Sequence, residues 1–113
     1  MVKVIIKEPY KQARVEEIEY TPTALQGIVK GIYNILPFPS NEEDVDLITN
    51  DDAQLIDGFG KNIKIKDSFI AGVIVACGFG KDGMPKSLND EQISRIMDYM
   101  NENSIEKKPE REM

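Results

Sequence analysis

The chain has 113 residues, of which 41% are apolar and 30% charged, and a formal net charge of −6; this suits one folded domain around one hydrophobic core. The acidic balance argues against direct nucleic-acid binding, which needs a basic face. The longest apolar run, Phe69 to Phe79, is about half a bilayer span, so no membrane role is expected. A lone Cys77 cannot build an internal disulfide, and the opening Met1–Lys7 segment is broken by charge and gives no secretory signal. The expected location is therefore cytoplasmic.

Val2, Val4 and Ile6 alternate with Lys3 and Lys7, the period of a strand. Glu8-Pro9-Tyr10 breaks it, and Arg14 to Tyr20 reads as a second strand paired back as a hairpin. Thr21-Pro22 starts a helix, with a hydroxyl cap and then proline where its missing N–H costs nothing. Leu25, Ile28 and Val29 share one helix face, and Gly31 is placed to end it in a left-handed turn. Ile32 to Phe38 and Val45 to Thr49 read as the third and fourth strands, the latter ended by Asn50-Asp51-Asp52. Gly58-Phe59-Gly60 marks a loop, and Ile63 and Ile65 alternate with lysines as in a short edge strand.

Phe69 to Phe79 reads as a single central strand, with Gly72 and Gly78 marking a bulge or close packing. Gly80 to Lys86 is turn-rich. Asn89 and Gln92 have the spacing of a reciprocal helix cap, and Ile93, Ile96, Met97 and Met100 form the apolar stripe of a second helix. Beyond Asn103 the composition is charged and polar. The expected architecture is α+β: a small mixed, mostly antiparallel sheet with two helices packed on it. A single domain over residues 1–102 is followed by a flexible charged tail, 103–113.

There is no histidine, which removes the commonest general base and metal ligand together. Cys77 sits among apolar neighbours and reads as a small core residue rather than a reactive thiol. Asp44 and Asp46 share one face of a strand, a spacing that can hold a divalent cation, but a solvated acidic face explains them as well. Gly78-Phe79-Gly80-Lys81 lacks the spacing and hydroxyl of a phosphate loop. The expectation is no enzyme, no metal and no cofactor.

Two constellations point to binding instead. Lys61 and Asn62 follow a glycine pair, where backbone N–H groups, an amide and an ammonium can converge on an anion, and Lys81 on the other glycine-bearing loop can join them. Phe59 and Tyr33 lie near element ends, where rings can stack on a planar ligand. The expected ligand-binding set is thus Lys61, Asn62, Lys81, Phe59 and Tyr33. Alternatively, the acids between Ser40 and Asp57 (Glu42, Glu43, Asp44, Asp46, Asp51, Asp52 and Asp57), with no Lys or Arg among them, form a surface for a basic protein partner.

Several short patterns, taken in order, resemble the family known as domain of unknown function 3846. They are the opening Val-Lys-Val-Ile-Ile-Lys-Glu-Pro, Leu25 to Gly31, Asn50, Asn62, Ile70-Ala71-Gly72 and Leu88 to Ile93, over about residues 2 to 100. The family's usual second glycine in the first helix motif is Lys30 here. The resemblance implies a small protein of phages and mobile elements with no assigned enzymatic activity, working in the cytoplasm of a bacterial host. A counter-defence role follows as the expectation: sequestering a small nucleotide-like signal, with a homo-oligomer formed through a strand such as Ile63 to Lys66. The alternative is an acidic inhibitor that occupies a basic surface of a host defence protein.

Overall fold

The computed structural model describes residues 1–40, 42–55 and 58–106. In chain order the elements are β1 (Val2–Lys7), β2 (Arg14–Ile18), α1 (Pro22–Val29), β3 (Tyr33–Pro37), β4 (Val45–Asn50), β5 (Lys61–Ile65), β6 (Ser68–Ala71), β7 (Ile74–Phe79), β8 (Pro85–Lys86) and α2 (Asp90–Glu102). The main sheet has the order β2-β1-β7-β4-β3, with β8 on the end of β7, and β5-β6 forms a separate hairpin. The α+β class expected from the sequence is observed, and every pair among the described strands is antiparallel.

Both helix starts follow their caps. Thr21 Oγ1 accepts from the Ala24 N–H at 3.2 Å. Asn89 Oδ1 accepts from the Gln92 N–H at 2.8 Å while Gln92 Oε1 accepts from the Asn89 N–H at 2.9 Å. The end of α1 differs from expectation: Lys30, not Gly31, takes the left-handed conformation, at φ 67°. The cause lies across the fold. Asn50 Nδ2 donates to the carbonyls of Val29 (3.0 Å) and Lys30 (3.2 Å), supplying partners that a helix end lacks. A Cβ on Gly31 would stand 3.0 Å from that nitrogen, so glycine leaves room for the amide.

The run Phe69 to Phe79, expected as one strand, is two. It breaks at Gly72, whose φ of +81° few side-chain-bearing residues adopt and whose missing Cβ would lie 3.1 Å from the Ala53 Cβ. Before the break the chain pairs with β5; after it, β7 enters the centre of the main sheet, between β1 and β4. Period-two patterning cannot mark such a switch, because both halves are buried.

Alternation along the central strands divides the core. One face presents Val4, Ile6, Ile48, Val75 and Cys77 to Leu25 and Val29 of α1. The other presents Ile5, Leu47, Ile74 and Ala76 to Ile96 and Met100 of α2 and to Ile63 and Ile70 of the hairpin. The expected flexible tail starts too early at 103. Lys64 N donates to Asn103 O and Ile105 N to Asn62 O, both at 2.8 Å, and Ile63 bridges to Ser104, so residues 103–105 cover the outer edge of β5. That edge, expected to pair with a second copy, is occupied. Residues 107–113 lie outside the described residues. Among the described residues, no helix is long and apolar enough to cross a membrane.

Candidate binding cleft

At the end of the main sheet where β1 stops, four segments that are distant in sequence surround a cleft of about 350 Å³. Its lining is Glu8 and Pro9 after β1, Lys30 at the end of α1, Gly58 and Phe59 before β5, and Gly72 and Val73 between β6 and β7. Lys30 supplies an ammonium, Phe59 an aromatic ring, and Pro9 and Val73 apolar wall. The Glu8 carboxylate bonds Arg14 at 2.6 Å and lies 3.8 Å from the Lys11 ammonium. The Arg14 hydrogen bond holds that carboxyl below the ordinary carboxylate range; the charges of Lys11 and Lys30 add to this, and burial opposes it.

The cleft is braced from behind by buried polar groups. Asn62 is fully buried; its Nδ2 donates to the carbonyls of Lys7 (2.6 Å) and Gly72 (2.7 Å). Its Oδ1 accepts from Lys7 Nζ at 2.9 Å. Lys7 is fully buried too, and its ammonium also donates to the Glu8 carbonyl at 3.0 Å. No carboxylate among the described residues forms an ion pair with it. Burial therefore lowers the Lys7 pKa from its ordinary value. Among buried side-chain nitrogens and oxygens of the described residues, none lacks a hydrogen-bond partner.

The residues expected to bind a ligand are not brought together. Phe59 lines the cleft. Asn62 stands behind it with its amide fully engaged, so it braces the site and presents nothing to a ligand. Lys61 projects from β5 with its ammonium 4.8 Å from the centroid of the Phe69 ring, and it flanks a shallow groove with Lys64 and Lys66. Lys81 lies in the turn between β7 and β8, at the opposite end of β7 from Gly72. Six strand residues separate these ends, about 20 Å. Tyr33 packs half-buried against the α1-side core.

The acidic stretch is divided in the same way. Glu42 is tied to Arg95 of α2 through two contacts, at 2.5 and 3.1 Å, and its side chain is only 8% exposed. Glu43 and Asp44 are exposed before β4, whereas Asp51 and Asp52 are exposed in the turn at its far end. Asp46 is half-buried within β4 opposite Cys77, and burial raises its carboxyl pKa. Asp57 lies outside the described residues. The exposed acids therefore form two small groups separated by β4, not one surface. Among the described residues, Asp44 and Asp46 gain no third ligand for a metal-holding group. Cys77 is buried, and that burial pushes its thiol up to about 11.

Residues 2–101 match the family described as Domain of unknown function (DUF3846). The chain belongs to that family. No curated protein and no solved structure matches it. The geometry gives physical content to the short patterns noted in the sequence. Lys7-Glu8-Pro9, Gly31, Asn50, Asn62 and Gly72 lie on segments that meet at the cleft end, and the two asparagines cross-link those segments through buried amides. Sequence reasoning missed Glu8, Lys30 and Val73 as lining residues. The one signal for Lys30 was its place at the expected end of the first helix.

Proposed function

We propose that this DUF3846 member is a non-enzymatic binding module that takes a small, planar, anionic ligand of nucleotide type in the cleft between Lys30 and Phe59. The observation that carries this reading is the pairing of an ammonium and an aromatic ring across a cleft of about 350 Å³, within the size range of small-molecule sites. A base stacks on Phe59 against the apolar Pro9 and Val73, a phosphate meets Lys30, and the Glu8 carboxylate accepts from a ribose hydroxyl or an exocyclic amine. The glycine backbones at 58 and 72 allow close approach. Several features favour binding over turnover. The chain has no histidine; the thiol of Cys77 is buried and stays protonated at neutral pH; and Glu8, ion-paired and of lowered pKa, is a poor base. In the phage or mobile-element setting that we infer for the family, retention of a signalling nucleotide without chemistry amounts to counter-defence by sequestration.

A thermal-shift panel of mononucleotides and cyclic nucleotides tests this. The expected result is a rise in Tm with at least one of them, the ligand being recovered intact after denaturation and the shift lost in Lys30→Ala and Phe59→Ala. No shift with any nucleotide contradicts it.

A further inference from the structure

Apart from the two-residue β8, the described strands leave four outer edges, and three of them are protected. β2 carries Arg14, Glu16 and Glu17 among its five residues, the charge pattern that discourages edge-to-edge pairing. The outer edge of β5 is covered by residues 103–105. That of β6 is capped by the Gln54 side chain, which donates to Phe69 O at 2.9 Å and accepts from the Ala71 N–H at 2.6 Å. Among the described residues, β3 has none of these devices and β4 is its only strand neighbour. No residue from Gly31 to Ser40 is charged, in a chain that is 30% charged. Ile32 and Ile35 are 67% and 48% exposed.

The hydrogen-bond parity of β3 is fixed by its flanks. Ile32 O accepts from the Asp51 N–H at 2.8 Å, and Phe38 N donates to Val45 O at 3.1 Å. With Asn34 opposite Thr49 and Leu36 opposite Leu47, the even-numbered residues bond inward to β4. The backbones of Tyr33, Ile35 and Pro37 then face outward. Proline at 37 fits this parity, because an edge strand tolerates it where the missing N–H would face away from the sheet.

From this we propose that β3 is a dimerisation edge, pairing antiparallel with β3 of a second copy about a two-fold axis at Ile35. In that register the two Ile35 residues exchange both backbone hydrogen bonds, and each Tyr33 N–H meets the Pro37 carbonyl of the other copy. Every outward N–H of the strand is used, since Pro37 has none. Charge selects the same occupant: two copies of a chain of net charge −6 approach with least repulsion along this neutral edge, whereas β3 against β2 would bury glutamates. The product is one continuous sheet through both copies, with the two exposed Ile35 side chains side by side. A single strand pair buries less than a standard interface, so association in the micromolar range is expected.

Amide hydrogen exchange on the full chain reads this register directly. At ~100 μM protein, far above a micromolar dissociation constant, the outward amides of Tyr33 and Ile35 should be protected, and they should lose that protection on dilution. The inward amides of Asn34 and Leu36 should stay protected at both concentrations. Sedimentation velocity should show a dimer under the concentrated condition and a monomer for Ile35→Lys, with Glu17→Lys on β2 remaining dimeric. The proposal is overturned by unprotected Tyr33 and Ile35 amides at the high concentration, by a wild-type monomer there, or by a dimer that Ile35→Lys leaves intact. The readout needs no nucleotide, so it stands or falls separately from the ligand reading.

Discussion

The two ends of the main sheet each carry a glycine-bearing loop with a lysine nearby, and in the sequence they look equivalent. In the fold they are not. At the β1 end, two buried asparagine amides and a buried lysine bind four segments together around a cleft. At the far end, Lys81 sits in a short turn whose hydrogen bonds are local, from Gly80 N to Met84 O and from Gly83 N to Gly80 O, both at 2.9 Å. The difference teaches that a binding site depends on how many separate segments are locked together, more than on which loop carries a charge. Locking needs long-range polar contacts, and those are what single-sequence patterns conceal.

The largest test of this contrast is Asn62→Ala. It removes three buried hydrogen bonds and leaves the Lys7 ammonium with only the Glu8 carbonyl. A loss of about 3 kcal/mol in denaturant unfolding is expected; a loss below ~1 kcal/mol would dissolve the distinction between the ends. Lys7 gives a pH signature of the same bracing. Its pKa is lowered on folding, so between the folded and ordinary values the unfolded chain holds a proton that the folded chain does not. Stability from this group therefore rises with pH across that window, by at most about 1.4 kcal/mol per pH unit. Lys7→Met should remove the rise. Cys77 acts with the opposite sign: its pKa is raised to about 11, so stability falls as pH climbs from the ordinary thiol value towards that point. Comparing the two proteins with Cys77 intact isolates the lysine.

Lys30→Gly sharpens the contrast by separating stability from binding. Lys30 is held in the left-handed region, where glycine carries no Cβ penalty. A net gain of roughly 0.5–1 kcal/mol is expected after counting the greater freedom of glycine in the unfolded chain. The same change removes the ammonium from the cleft, so any nucleotide-induced thermal shift should shrink while the unliganded Tm rises. At the far end Lys81→Ala should change stability by no more than about 0.5 kcal/mol and leave nucleotide binding unaltered.

Much of the fold was legible in the chain. The β1 alternation, the Thr21-Pro22 start, the Asn89–Gln92 capping box and the stripe Ile93 to Met100 all lie where local chemistry placed them. The break at Gly72 was not, because two buried strands in succession read as one apolar run and only the packing of Ala53 against that glycine separates them. The site was less legible still. Phe59, picked out for its place near an element end, does line the cleft, but Asn62 looked like a ligand group because a surface amide and a buried cross-link have the same sequence signature. Lys30 was visible only as an oddity at a helix end. Tertiary contacts of Asn50 and Asn62, made to carbonyls 10 to 55 residues away, decided the rest.

The measurement that bears most directly on the cleft is a ¹H–¹⁵N titration of the full chain with the mononucleotide that gives the largest thermal shift. The expected result is saturable movement of the Lys30, Gly58, Phe59 and Gly72 amides, with Lys81 and Lys86 unmoved. Movement confined to Lys61, Lys64 and Lys66, or to the turn at Lys81, would contradict the assignment of binding to this end of the sheet.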